Sequence, residues 1–579
     1  MSEAGSMQIW LHPALGEADW LARIAVARDQ GDHLRAYDLA TQAQGGFPQS
    51  LAIEYQAILA LARLGALGTA RSRYAKLGGA SRLDSVADGF LASEFAALAG
   101  RLWKDLAERT RGSEAERCRL MAADSYRGAY ERFGSFFPAI NAASLYLSLG
   151  RSDDAMHFAR AALDLARRAL PGDYWAAATE AEALLILGAP EDAAAALAVA
   201  SALGAGRLDR LATTRKQLTW VAALAGAPAA SLSALARPRV ITWEARPGSV
   251  AEPLGQYFHP DTPVIAFGPV LSSDDIATAC ALLDAGVDVN CVLPCHPDLI
   301  LSSPICNGVK GLARDFEALM RRIAAQDPGR NMVVTPEGGP LEPAARLLCR
   351  QQAFGLARLR ARSLAVTAEL LQLDAAGATC VPATRCPDVN EPMNGTPEVP
   401  VREPRTILFG DVRGFSQLSE AEQLLFLAHI IGGFADVLDA CPAVEYAETS
   451  GDGLFIVLSD ILAAVDCAFA LQSVLRPRHV AAAALPSHIG LRLSAHVGPL
   501  YKRFDRVIRR DKFWGTEVVR TARIEPVTPV GEIFVTKQFA AALAAVAADD
   551  YICEYVGVQN MAKGYGQCPM YSLRPALAD

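Results

Sequence analysis

Several features that would point to common protein classes are missing from this 579-residue chain. Positive charge is not in excess: 55 Lys and Arg stand against 63 Asp and Glu, a net charge of −8. No broad basic face for nucleic acid is therefore expected. The opening segment, MSEAGSMQIWLHPALGEADW, carries early acids and no basic stretch leading into an apolar run, so it does not read as a signal peptide. No continuous apolar run is long enough to span a bilayer. The longest uncharged stretch, Gln217 to Ala236, is broken by Gly226-Ala-Pro228 and two serines. The twelve cysteines lack paired spacing. Cys291-x3-Cys295-His296 is the one cluster, has no second ligand pair nearby, and reads as reduced core thiols. No P-loop is present. These absences predict a soluble, reduced, cytoplasmic protein with neither a membrane nor a nucleic acid as partner.

Half of the residues (51%) are hydrophobic and 20% are charged, enough apolar material for large cores. At about 150 residues per domain the length suggests three or four domains. Residues 1–235 are helical in pattern, with apolar residues at three- and four-residue spacing and abundant Ala. Three stretches look alike, beginning at Ala57, Ile140 and Trp175. Each has an apolar helix ending in Leu-Gly, a short turn, and a second helix rich in small residues. Gly after a helix tolerates the left-handed conformation that ends it. The second and third stretches resemble tetratricopeptide repeats, whose helix pairs stack into a solenoid; an irregular helical bundle is the other reading. Such repeats imply a protein partner.

The period changes after Ala236. Residues 236–382 read as an α/β domain: a strand at Val264-Ile-Ala-Phe, a helix over Ser272–Gly286 capped by Ser273 or Asp274, and a strand at Val287–Pro294. A further strand is expected near Asn331, and two helical stretches between Ala344 and Leu371. The architecture resembles Rossmann-like, nucleotide-sensing domains. The turn Gly268-Pro-Val-Leu-Ser-Ser sets hydroxyls at a helix N-terminus, a place for a small anionic ligand, but lacks a G-x-G-x-x-G fingerprint; a docking or spacer role is the alternative. Residues 383–404 are dense in Pro and polar residues and read as a linker.

Residues 405–579 give a crisper pattern. Thr406–Val412 is a strand, and Leu418 to Leu438 a helix opened by Ser419-x-x-Glu422, a capping box. Val444–Thr449 and Leu454–Leu458 are strands joined by the tight hairpin Ser450-Gly-Asp-Gly453. A helix over Asp460–Leu475 and a long strand over Ile489–Tyr501 follow. The order βαββαβ is that of an α+β ferredoxin-like sheet with helices on one face. In it Asp411, ending the central first strand, and Asp452, at the hairpin tip, come to adjacent strand ends. Two carboxylates so placed suit hard divalent cations that also bind phosphate oxygens.

Phe409-Gly-Asp-Val-Arg-Gly-Phe415, Ser450-Gly-Asp452, Ala495-His-Val-Gly498, Trp514-Gly-x-x-Val-x-Arg-Thr-Ala-Arg523 and Ala562-Lys-Gly-Tyr-Gly566 resemble, in order, the motifs of class III nucleotidyl (adenylate/guanylate) cyclases. The resemblance covers the last third of the chain. It implies conversion of a purine nucleoside triphosphate to a 3′,5′-cyclic nucleotide and pyrophosphate, with two Mg2+ or Mn2+ ions per site and sites shared across a homodimer. It casts Asp411 and Asp452 as metal ligands with the Val412 carbonyl, Arg523 as the cation at the α-phosphate, and Lys563 as the grip on the terminal phosphates. Glu448 and Lys512 fall at the base-reading positions. They suit either guanine or adenine and could equally pair with each other. Val519 stands where the family has a ribose-positioning Asn, a loss that Arg520 could make good. That departure keeps a second function open: a catalytically inactive cyclase-like scaffold binding nucleotide or protein partners.

Overall fold

The computed structural model describes residues 15–576 apart from 30–32, 65–66, 78–88, 236, 247–253, 260–261, 304–305, 307–310, 327–330, 336–337, 340, 375–376 and 388–400. Most of the expected linker, and the Gly65 turn of the first helical stretch, lie outside the described residues. The chain forms two compact units, Met1–Ala236 and Arg237–Asp579.

The described helices of the first unit are α1 (Glu17–Asp29), α2 (His33–Gly46), α3 (Leu51–Leu64), α4 (Leu67–Lys76), α5 (Gly89–Ala107), α6 (Gly112–Phe133), α7 (Phe136–Ser148), α8 (Ser152–Arg167), α9 (Tyr174–Ile186), α10 (Pro190–Leu203) and α11 (Leu208–Ala225). The two Leu-Gly turns are built alike. Gly150 and Gly188 have φ of 72° and 78°. The amides of Arg151 and Ala189 reach back to the carbonyls of Tyr146 and Leu184, both at 2.9 Å, the six-to-one bond that closes a helix on a left-handed residue. Alanines fill the space between Tyr126, Tyr146 and Tyr174, so the helices approach closely. Lys104 donates to Gln217 and Gln217 to Glu182, each at 2.6 Å, tying α5, α11 and α9.

The second unit holds two sheets. The first has the order β4-β3-β2-β1-β5-β6, from β1 (Arg239–Ala245), β2 (Val264–Pro269), β3 (Asp288–Leu293), β4 (Met332–Val333), β5 (Ala368–Asp374) and β6 (Gly377–Pro382). All neighbours are parallel except β5 and β6. Helix α12 (Ser273–Asp284) joins β2 to β3. The short α13 (Pro297–Leu301) and α14 (Leu312–Gln326) lie between β3 and β4, and α15 (Pro343–Ser363) crosses from β4 to β5.

Three expectations for this sheet need correction. Helix does not run on to Leu371: Ala365 takes φ of 52°, and Ala368–Asp374 becomes a strand because its alternating apolar side chains pair with β1. The cap of α12 is Ser272, whose hydroxyl accepts from the Asp275 amide at 3.2 Å. The anion place at that turn is taken by the chain itself, since Asp275 accepts from the Leu271 amide and the Ser272 hydroxyl at 3.0 Å each.

The second sheet runs β13-β14-β12-β10-β7-β9-β8, with β11 paired to β10. Its elements are β7 (Glu403–Arg413), the continuous helix α16 (Glu420–Asp439), β8 (Val444–Ser450), β9 (Gly453–Leu458), α17 (Ile461–Val474), α18 (Pro477–Ala482), β10 (Gly490–Asp505), β11 (Arg510–Trp514), α19 (Thr516–Ile524), β12 (Ile533–Thr536), α20 (Lys537–Ala547), β13 (Tyr551–Asn560) and β14 (Gln567–Pro575). The capping box at Ser419 and Glu422 forms. Helix α16 is long and apolar enough by composition to cross a bilayer, which inspection of continuous apolar runs misses. Its acids sit at its two ends, and Phe426, Ile430 and Phe434 are buried.

Helices do not keep to one face of this sheet. Ile407, Phe409, Tyr446, Phe455 and Val457 pack with Val518 of α19 on one side. Helices α17 and α20 pack on the strands without joining that cluster, so they cover the other side.

Burial pushes the Asp275 carboxyl up from 3.8 to about 6, against its two hydrogen bonds and the charges of Arg350 and Arg346. Ionising it therefore costs the fold free energy. Relative to Asp275→Asn, the parent chain should lose stability as pH rises from 3.8 to about 6 and differ by a constant amount above that. Equilibrium unfolding at stepped pH checks this; a gap that widens towards acid is the contrary result.

Candidate active site

Strand β7 lies between β10 and β9, and its register fixes the site. Asp411 faces Arg492 on β10 and Gly453 on β9. Gly451 and Asp452 are the two loop residues of the β8–β9 hairpin, with Gly451 at φ of 66°. Asp452 thereby enters next to Asp411, close enough for each carboxyl group to feel the other's charge. Burial first, and then the charge of Asp411, raises the Asp452 carboxyl above its ordinary value, while Arg492 opposes. The Val412 side chain points away into the core and is fully buried, as the alternation of a strand requires.

Two residues that the motifs did not single out complete this corner. Arg492 pairs with Asp411 and, at 2.9 Å, with Glu525. Burial raises Glu525 to about 7, with Arg492 opposing and Asp411 and Asp452 adding to the rise. Both were detectable in principle. Arg492 has the same parity on its strand as Ser494 and His496, and Glu525 follows Arg523 by two residues. Among the described residues no three His, Cys, Asp or Glu side chains come together closely enough to cage an ion alone.

Helix α19 lies over β10 and β7. The Ser494 hydroxyl donates to the Thr521 carbonyl at 3.0 Å. His496 Nε2 lies 2.8 Å from Glu517, both side chains being fully buried. Arg523, in the last turn, is half-buried and makes no ion pair among the described residues. Lys563 sits in a turn that packs beside α19. It takes φ of 58°, is exposed, and also makes no ion pair among the described residues. Val519 is 41% exposed. Arg520 Nε lies 3.5 Å from Glu517.

Glu448 and Lys512 meet. The Lys512 ammonium donates to Glu448 Oε1 at 2.6 Å, and the Tyr446 hydroxyl donates to Oε2. Burial alone would raise Glu448, but the hydrogen bonds from Lys512 and Tyr446 prevail and hold it below its ordinary value. Lys512 also stands 5.9 Å from the Phe455 ring centre and 5.8 Å from that of Trp514. The pair is an acceptor and a donor side by side at the rim of the aromatic cluster.

The mixed sheet thus sets two aspartates at adjacent strand ends, with cations that make no ion pair among the described residues on the neighbouring helix and turn. Residues 399–575 match the adenylate and guanylate cyclase catalytic domain family, and residues 32–146 the tetratricopeptide repeats-sensor family. The second match lies mostly upstream of the two repeats legible in the sequence. Similar solved structures include the guanylyl cyclase Cya2, at 24% identity over 30% of this chain and 93% of that one, TM-score 0.26. The adenylyl cyclase CyaB from P. aeruginosa is 19% identical over 31% of this chain and 98% of that one, TM-score 0.27. The guanylate cyclase domain of RhGC from Catenaria anguillulae, in complex with GTP, is 17% identical over 30% and 97%, TM-score 0.26. No curated protein sequence matches the chain.

The Glu448–Lys512 pair is about one-quarter exposed on both sides. Such pairs contribute little to stability, so Lys512→Ala should lower the unfolding free energy by no more than about 1 kcal/mol. Denaturant titration measures this, and a larger loss would make the pair a structural one.

Proposed function

We propose that the C-terminal domain is a working nucleotide cyclase that converts ATP or GTP to the 3′,5′-cyclic nucleotide and pyrophosphate. The observation that carries this reading is that Asp411 and Asp452 meet while Arg523 and Lys563 make no ion pair among the described residues. Hard oxygen donors in a pair, joined by the Val412 carbonyl, fit Mg2+ or Mn2+ whose remaining positions are filled by phosphate oxygens. Two such ions would supply Lewis-acid activation of the attacking hydroxyl and neutralise phosphate charge.

The chain's own residues do the rest. The ribose 3′-oxygen loses its proton and bonds to the α-phosphorus as the bond to pyrophosphate breaks. Arg523 stabilises charge on the nonbridging α-oxygens, and Lys563 holds the leaving pyrophosphate. Glu448 accepts and Lys512 donates at the base edge, a pattern that guanine meets with N1–H and O6 and adenine with its amino group and N1. Two copies of the chain complete two sites, aspartates from one facing Arg523 of the other. Supporting this are Phe504, Ile508, Trp514 and Val519, all exposed apolar residues on the β10–β11 arm and α19, with Val507 at the arm tip 90% exposed. The repeats and the α/β domain, read as Rossmann-like, regulate the output by binding a partner or small ligand.

A second reading is favoured by Val519, which offers no hydrogen bond where the family positions ribose: a scaffold that binds nucleotide without turnover. Incubating the full chain with each nucleoside triphosphate and Mn2+ separates the two. Cyclic product supports catalysis; tight binding by dimeric protein with no pyrophosphate release supports the scaffold. Asp411→Ala and Asp452→Ala should each lower cyclic product by at least about a hundredfold. Asp452→Ala should leave the unfolding free energy within about 1 kcal/mol of the parent, because it removes a like-charge contact.

A further inference from the structure

The last helix of the first unit does not stack as the others do. From α1 to α10 each described helix packs on the described helix before it, and odd-numbered helices also meet, α1 with α3, α3 with α5 and α7 with α9. Helix α11 lies against α9, α7 and α1 instead of packing along α10. Its side chains reach helices far earlier in the chain. Arg210 pairs with Asp29 of α1 at 3.1 Å, and Thr213 accepts from Arg63 of α3 at 2.7 Å. Lys216 pairs with Glu108, just past the end of α5, at 2.7 Å. The hydroxyls of Thr214 and Tyr174, the latter opening α9, are 2.6 Å apart. A helix that only capped the last hairpin would touch its neighbours alone. One that meets α1, α3, α5, α7 and α9 lies along a surface that those helices share.

The face that α11 turns to this surface is largely polar. Arg210, Thr213, Thr214 and Gln217 fall at i, i+3, i+4 and i+7, one stripe of a helix. Leu211, Leu218 and Ala222, on the adjoining stripe, join the apolar cluster of the unit. Gln217 stands between two opposite charges: its Oε1 accepts from Lys104 of α5 and its Nε2 donates to Glu182 of α9, each at 2.6 Å. Among the described residues no ion pair joins Lys104 to Glu182 directly. Other contacts hold the two in place, since Glu182 accepts from the Ser144 hydroxyl and Lys104 Nζ lies 5.2 Å from the Trp220 ring centre. Burial pushes the Glu182 carboxyl up, against the hydrogen bonds of Ser144 and Gln217 and the charge of Lys104. Burial likewise pushes the Lys104 ammonium down, against the charge of Glu182. Opposite charges kept apart inside a fold stabilise it poorly. As a donor and an acceptor set one carboxamide apart, they recognise an amide side chain.

We propose that the odd-numbered helices of the first unit form a groove for an amphipathic helix, that Lys104 and Glu182 are its carboxamide clamp, and that α11 is a built-in occupant which a partner protein displaces. The partner helix carries a Gln for the clamp, hydroxyl side chains three and four residues before it, a cation seven before it, and apolar residues on the adjoining stripe. Exchange of one such helix for another conserves the contacts, and once α11 leaves, water reaches both charges of an empty clamp and relieves their burial. Helix α11 is the last α-helix before the second unit begins at Arg237, so its release alters the segment that joins the two units. This inference goes beyond the cyclase reading and stands or falls without it.

The test uses the full chain and a fluorescent peptide with the 18-residue sequence of α11. In the parent, α11 holds the groove at high effective concentration, so the peptide binds weakly. Gln217→Ala in the chain, but not in the peptide, weakens the occupant and should tighten peptide binding at least about tenfold. Lys104→Met added to that chain should cancel the gain, and a peptide with its own Gln217→Ala should bind at least about tenfold more weakly than the native peptide. Peptide binding unmoved by Gln217→Ala in the chain, or equal binding of the two peptides, would overturn the proposal. Should the Gln217→Ala chain fail to fold, hydrogen exchange of the parent decides. Central amides of α11 should exchange at least about tenfold faster than those of α7 and α9, because an occupant opens before the groove does. Equal protection in all three helices overturns the proposal.

Discussion

Two carboxyl groups brought to neighbouring strand ends repel, at an effective dielectric near 20 by about 4 kcal/mol for charges about 4 Å apart. The β7–β9–β10 register holds Asp411 and Asp452 together against this. Arg492 meets part of the charge, and Asp452 meets the rest by holding its proton to higher pH than usual. Such a corner is stabilised by whatever positive charge enters it. Among the described residues Arg523 and Lys563 make no ion pair, whereas Arg492, Lys512 and Arg520 are already engaged.

The second constraint is steric. Glycine and alanine recur wherever two elements of the second unit must touch through backbone. Gly355 meets Ala541, Gly498 leaves room for His496 and Glu517, and Gly338 for Arg402 and Glu342. At each place a single methyl group would collide with a carbonyl or a buried polar side chain. The α/β sheet is thereby bonded to the cyclase sheet through α15 and α20.

Much of the cyclase domain was legible because its signals are local. The capping box at Ser419, the Gly-Asp hairpin and the strand alternation each fix a short segment, and their order fixes the sheet. The tight meeting of Glu448 with Lys512 was one of the readings the residues allowed. What could not be read was non-local. Arg492 joins the aspartate corner only through its register opposite Asp411, and Glu525 only because α19 ends beside it. Val519 was visible as a departure, yet the engagement of Arg520 by Glu517 needed the fold. In the α/β domain, β1 and β5 went unread as strands because each is an ordinary apolar segment until it pairs with the other. The turn before α12 looked like an anion cradle because sequence cannot show that Asp275 already fills it.

The contact of Gly355 with Ala541 also bears on how such proteins are reassembled. A boundary drawn through the proline-rich segment ahead of β7 would sever a shared interior, exposing the alanine face of α20 and stripping two of its terminal carbonyls of their arginines. The division between the two compact units falls at Ala236 instead. The α/β sheet travels with the cyclase it braces.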